Sequence, residues 1–338
     1  MTDGGFEPGR LRLARELKGW TQADLARRLE VTAAAVGQFE SGVTRPGGTT
    51  VARLATLLDV PVAFFALPLV ETHEGFFRSL RRTSVTERRR ARAIAHIAHD
   101  IGVASASASL LPRPEIPQTP IDDLRAGHEV LEDVAGEVRR EWKLGSGPIP
   151  NMVELLEAHG VIVIRLPLDT GDVDAFSLPF RDRPVVVLGS DKHDRARSRF
   201  DAAHELGHLV VHGEHVWGLK EVEQQAHMFA AAFLMPADTI RDELPRRADW
   251  QTLFDLKRRW EVSIAALLMR ARTLGRMSES DYLTAIKGVS ARGWRRREPV
   301  PLGAPERPSQ LRSLLERADV ASGLPANVLE AVVGATDA

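Results

Sequence analysis

The hydrophobic rhythm of this chain changes partway along it, and the change limits what it can fold into. From residue 8 to 66 apolar side chains recur at helical spacing with no alternating run, whereas beyond residue 121 short strand-length apolar runs join the helical ones. Between the two lies Leu110-Leu-Pro-Arg-Pro-Glu-Ile-Pro-Gln-Thr-Pro120, which reads as a linker or as a helix followed by an extended connection. At 338 residues the chain is also longer than one core usually holds. We expect four segments: 1–70 an all-α domain, 71–120 an arginine-rich helix and linker, 121–290 an α+β domain, and 291–338 a C-terminal extension.

In the first segment Leu11, Leu13, Ala14 and Leu17 suit one helix. Thr21 is placed to N-cap a second, with Leu25, Ala26 and Leu29 inward, and Thr32 a third, with Val36 and Phe39 inward. A fourth runs from about Thr50 to Leu58. Two short helices separated by about three residues make a helix-turn-helix. In the α+β segment we expect helices at Asp122–Trp142 and Pro150–His159. Strands are expected at 161–166, 175–180 and 184–188, in a small antiparallel or mixed sheet with 175–180 at its edge. Helices return at Arg197–Gly213, Lys220–Met235 and through most of 250–286. The tail offers helices at Ser309–Ala318 and near 325–333.

Composition excludes several chemistries. There is no cysteine, so disulfides, thiolate metal sites and cysteine nucleophiles are out, and any metal is held by His, Asp or Glu. No apolar run reaches the ~18 residues of a membrane span, and the N-terminus lacks a secretory apolar core. A cytoplasmic protein with no membrane partner is expected. The formal charge of −1 comes from 45 Lys+Arg against 46 Asp+Glu and hides a basic run. Seven arginines, Arg78, Arg81, Arg82, Arg88, Arg89, Arg90 and Arg92, stand beside one acid, Glu87, between Phe76 and His99. They suit phosphate contacts, a solvated helix face or a protein-docking surface.

The most specific motif is Ala203-His204-Glu205-Leu206-Gly207-His208, an HExxH match on an expected helix. His204 and His208 lie one turn apart on one face and can share an ion, with Glu205 beside them as general base. This is the zincin arrangement. Gly207 leaves room for a neighbouring element. A second helix offers Glu223 as third ligand, with Ala226 and Ala230 at i+3 and i+7 on a face small enough for close packing. His215 and His227 stay open as alternative ligands or as groups that polarise a carbonyl. His212 lies at i+8, about 12 Å along a helix from His204, which suits packing or a hydrogen bond behind the ligands. A metzincin-like third His would need Gly at 211 and His at 214, where the chain has Val211 and Glu214. Two imidazoles and one carboxylate leave a zinc ion an open position for water, the catalytic pattern, and peptide hydrolysis is the natural reaction. Tyr282 is the only tyrosine that could stabilise an oxyanion.

Thr21-Gln22-Ala-Asp-Leu-Ala26, then Val31-Thr32, then Val36-Gly-Gln38-Phe39-Glu40-Ser-Gly42 resemble the Xre/Cro-type helix-turn-helix. The resemblance implies that Gln22 meets a phosphate, that the helix from Thr32 enters the major groove of an operator duplex, and that Thr32, Ala33, Ala34 and Gln38 face base edges. Three successive alanines, Ala33 to Ala35, donate no hydrogen bond, so readout would lean on Gln38, Thr32 and methyl contacts. Residues 1–65 hold eight Lys/Arg and seven Asp/Glu, a weak electrostatic footprint. A homodimer on a two-fold operator is expected.

Arg199-Phe-Asp-Ala-Ala-His204-Glu205-Leu-Gly-His208-Leu209, Glu223-Gln-Gln-Ala-His227-Met-Phe-Ala230 and Leu234-Met-Pro236 resemble ImmA/IrrE-type metallopeptidases, across roughly residues 130–300. That resemblance implies zinc on His204, His208 and Glu223 with Glu205 as base. His227 stands where Asn is usual. It further implies a regulator that cleaves an Xre-type repressor, or itself, in a stress or mobile-element response. The alternatives are a transcription factor whose peptidase-like domain is a non-catalytic sensor or dimerisation module, and an antitoxin or phage-type immunity regulator.

Overall fold

The computed structural model describes residues 5–70, 72, 84–106, 111–168, 175–191, 194–212, 219–316 and 334. Its N-terminal part holds helices α1 (Pro8–Leu17), α2 (Gln22–Leu29), α3 (Ala33–Glu40) and α4 (Gly48–Leu58), followed by a 3₁₀ turn at Val62–Ala66. Each start is set by local chemistry. Pro8 sits in the first turn of α1, where a missing N–H costs nothing; Thr21 and Asp24 form a reciprocal capping box on α2; and Thr32 Oγ1 accepts the Ala35 N–H at α3. Leu11, Leu25, Leu29, Val36, Leu54 and Leu58 are fully buried between these helices.

Helix α5 (Val85–Ala106) lies between this bundle and a three-stranded sheet. One face meets α1: Arg10 pairs with Asp100, and Arg89 lies 3.8 Å from Glu16. The basic run therefore divides. Arg92 is buried and donates to Thr72, Arg89 and Arg90 are exposed, and Arg78, Arg81 and Arg82 lie outside the described residues. On the other face a Cβ at Gly102 would collide with Ile162, so glycine permits the close approach of helix and sheet.

The strands β1 (Ile162–Leu166), β2 (Ala175–Leu178) and β3 (Val185–Gly189) stand in the order β1-β3-β2. β1 is parallel to β3, and β2 is antiparallel to it with Ala175 opposite Leu188, so the sheet is mixed and β2 is an edge. Strand alternation divides the core in two. Ile162, Ile164, Phe176, Val185 and Val187 pack toward α5, while Val163, Ala175, Val186 and Leu188 join the core around the later helices.

Those helices are α6 (His128–Glu141), α7 (Met152–Ala158), α8 (Arg195–Gly207), α9 (Lys220–Leu234), α10 (Ala237–Ile240), α11 (Trp250–Trp260), α12 (Ile264–Thr273), α13 (Glu279–Ala291) and α14 (Gln310–Leu315). α6 starts later than its sequence pattern suggests, because the Asp123 carbonyl accepts the Ala126 N–H and closes a turn first. The helical stretch 250–286 is broken where Glu261 and Gly275 take left-handed φ values of 51° and 68°. Past Gly207 the helix widens into a π turn, His208–His212. The expected helix near 325–333 lies outside the described residues.

Two connections are fastened down. The Pro-rich segment runs extended along the second half, with Glu115 N bonded to His159 O, Thr119 N to Val210 O and Ile121 N to Val211 O. The tail is anchored through Glu306, which accepts the Met152 and Val153 N–H groups at the start of α7 and pairs with buried Arg199 of α8. Glu157 of α7 then receives the Ser309 and Gln310 N–H groups that open α14. No helix among the described residues is long and apolar enough to cross a membrane.

Candidate metal centre and nucleic-acid interface

Helices α8 and α9 pack closely because the facing residues are small. Ala203, Ala226 and Ala230 are fully buried, and a Cβ at Gly207 would stand 3.0 Å from the Phe229 ring. This contact brings three side chains together. His204 Nε2 lies 3.1 Å from His208 Nε2 and 3.2 Å from Glu223 Oε2, and His208 Nε2 is 3.7 Å from Glu223 Oε1. One donor atom from each falls within a 4.8 Å cluster. Ligands about 2.0–2.2 Å from a tetrahedral ion stand about 3.3–3.6 Å apart, so the donor set has the spacing that a divalent cation takes up.

The electrostatics agree with that fit. Burial pushes His204, His208, His212 and His227 below the usual imidazole range, which favours neutral rings. Burial works to raise the Glu223 carboxyl, but the two imidazoles beside it, His204 and His208, outweigh it and hold the group well below the usual carboxylate range. Two neutral nitrogens and one anion are what a dication takes up.

Glu205, next to His204 on α8, reaches β2. Burial pushes its carboxyl up to about 8; the Ser177 hydroxyl, donating at 2.7 Å, pulls it down, while the Glu223 and Asp201 charges raise it further. The motifs of the sequence do not single out Ser177. Its signal was a hydroxyl residue in Ala175-Phe-Ser-Leu178 at a position where alternation calls for an apolar one on the α8 side.

The histidines outside the cluster have separate places. His212 stands behind His208, Nδ1 to Nδ1 at 3.1 Å, and meets Gln225 on its far side. His227 keeps to its own helix, its Nδ1 2.8 Å from the Glu223 carbonyl, with its ring edge-on to His204. His215 lies outside the described residues. A cleft of about 860 Å³ takes in the cluster and is lined by Ser177 and Glu205 as well as by Met269 of α12, Tyr282 of α13 and Trp294 just past α13. Tyr282 thus shares the cleft with the cluster, the Arg272 guanidinium lying 4.5 Å from the centre of its ring.

In the N-terminal part, Gln22, Thr32, Ala33, Ala34 and Gln38 are all exposed. Gln22 is held in place by a buried pair that the sequence pattern did not reveal. Arg15 grips Glu40 through two bonds of 2.6 and 2.9 Å, and Glu40 in turn accepts from the Gln22 amide at 2.9 Å.

Taken together, a helix-turn-helix and a His/His/Glu cleft describe a DNA-binding domain joined in one chain to a metallopeptidase-like domain. Comparison with protein families agrees: residues 11–65 match the helix-turn-helix family, and residues 156–272 match the IrrE N-terminal-like domain. The chain is a fusion of an Xre-type helix-turn-helix with an ImmA/IrrE-like peptidase domain. A search of curated proteins gave no match.

Proposed function

We propose that this chain is a transcriptional regulator carrying a zinc-dependent endopeptidase. The observation that carries the reading is the convergence of His204, His208 and Glu223 within 4.8 Å in a cleft that also holds Glu205. Zinc bound by these three side chains would supply a Lewis acid that polarises water and the scissile carbonyl. Glu205 is the general base. A buried carboxyl whose proton affinity lies near neutrality can take a proton from water and return it to the leaving amine. Ser177 holds that carboxyl at the edge strand, beside which an extended peptide can lie. Tyr282 is the oxyanion candidate within the same cleft.

On the DNA side, Gln22 contacts a phosphate, and Thr32, Ala33, Ala34 and Gln38 face base edges of a two-fold operator bound by a dimer. An Xre-type repressor is the favoured substrate over the chain itself, because residues 115–121 are bonded along the second half at Glu115, Thr119 and Ile121. Incubation of the zinc-loaded protein with the repressor encoded beside it, followed by mass spectrometry, tests the reading. Specific fragments should appear with wild type and fall about 10²–10⁴-fold in rate with Glu205→Gln, which retains zinc. Absence of fragments, or fragments that persist in Glu205→Gln, overturns the proposal.

A further inference from the structure

The hydrogen bonds behind the cluster can run in one direction only. His208 turns Nε2 toward His204 and Glu223 and Nδ1 toward His212, 3.1 Å away. His212 Nε2 lies 3.0 Å from Gln225 Oε1, and Gln225 Nε2 lies 2.9 Å from the carbonyl of Asp123. His208, His212 and Gln225 are all buried.

The Asp123 carbonyl can only accept. It is also fixed in position, since it closes the turn that receives the Ala126 N–H. The Gln225 amide must therefore show it the NH₂ group, which leaves Oε1, an acceptor, facing His212. An acceptor there requires a proton on His212 Nε2. No carboxylate is bonded to either ring nitrogen of His212 among the described residues, so nothing holds a second proton and its Nδ1 is a bare lone pair. Two bare nitrogens at 3.1 Å would repel. The proton between the rings thus belongs to His208 Nδ1, and His208 Nε2 is left as a lone pair aimed at the cluster.

We propose that the Asp123 carbonyl, Gln225 and His212 form a relay that fixes His208 in the Nδ1–H tautomer and presents its Nε2 for a divalent cation. This rests on reading the cluster as a metal site. His212 and Gln225 are positioning residues, acting through His208. His204 has no counterpart: its Nδ1 is buried without a hydrogen-bond partner among the described residues. One imidazole is set in advance and the other is not.

Proton–nitrogen correlation spectra of histidine-labelled, zinc-free protein at mildly alkaline pH read the tautomers directly, with signals assigned through single His→Gln variants. In wild type His208 should carry its proton on Nδ1 and His212 on Nε2. Gln225→Leu removes the acceptor, so His208 should become a tautomer mixture, and zinc affinity, measured by competition with a chromophoric chelator, should fall about 10–100-fold. Gln225→Glu sets a carboxylate against His212 Nε2 and loses the donor to the Asp123 carbonyl, which favours a second proton on His212 Nδ1 and should also draw His208 away from the Nδ1–H tautomer. A purely structural role would lower the melting temperature of both variants and leave the tautomers alone. His208 found with its proton on Nε2 in wild type overturns the relay, whether or not any variant folds; unchanged zinc affinity in Gln225→Leu does so as well. Tautomers as stated in a protein that takes up no zinc support the relay and sink the metal reading instead.

Discussion

Compare how the two halves place their functional side chains. In the first, everything expected to face DNA lies between Gln22 and Gln38, on helices started by their own caps, Thr21 and Thr32. In the second, the cleft draws on residues from His128 to Glu298, and the helix that carries His204 is held by Glu306 of the tail. The first site is built from neighbours in sequence, the second from contacts that close long loops. A change far from the cleft should therefore damage it, while the helix-turn-helix should respond mainly to changes within itself.

Glu306→Ala gives the largest expected effect. It strips Arg199, 1% exposed, of its buried partner and leaves two N–H groups at the start of α7 unmatched. Breaking a buried pair in this way costs about 3–5 kcal/mol. Urea denaturation should show that loss and zinc binding should weaken, with operator affinity at low temperature within about twofold of wild type, a change worth under ~0.5 kcal/mol. A loss below about 1 kcal/mol, the value of a surface pair, would contradict the role given to the tail.

The same contrast explains what could be read from the sequence. Thr21, Thr32 and the leucine stripe carry the first three expected helices because caps and periodicity are local signals. His204, Glu205 and His208 were legible as an i, i+1, i+4 pattern, and Glu223 by the small face it shares with Ala226 and Ala230. Ser177, Gln225 and the Asp123 carbonyl were not, since each gains its role from a partner 28, 13 or 102 positions away. The late start of α6 was hidden for a related reason: a backbone carbonyl, which no residue type reports, closes the preceding turn.

A seam joins the halves, and acid should loosen it. His96 of α5 is buried beside Phe180 at the end of β2 and bonds Thr72 at 3.0 Å. Burial first, then the charges of Arg92, His99, Arg10 and Arg12, lower its pKa to about 2. Between that value and the ordinary imidazole range near 6.5, the unfolded chain binds a proton that the folded chain refuses. Stability is full above about pH 6.5 and falls as pH drops, by at most about 1.4 kcal/mol per pH unit from this group. His96→Asn, which cannot take up the proton, should flatten the slope of denaturation midpoint against pH below 6.5 relative to wild type. An unchanged slope would show that His96 does not govern the acid response of the seam.

Thr32→Ala should have the smallest effect and gives the strictest test of local construction. The hydroxyl accepts the Ala35 N–H at 3.1 Å and starts α3. Losing an N-cap costs about 1 kcal/mol. If α3 is the DNA-facing helix, operator affinity should drop about fivefold from fraying and the lost hydroxyl together, near 1 kcal/mol by the same scale. Thr32→Ser keeps the cap and should stay close to wild type in stability. Zinc affinity should be unmoved in both, because the ties to the His204 helix run through α7, α9, β2 and the tail. A shift in zinc affinity with Thr32→Ala would break the comparison, since it would mean that the order of α3 is transmitted across α5 to the cleft and that the two sites are thermodynamically coupled.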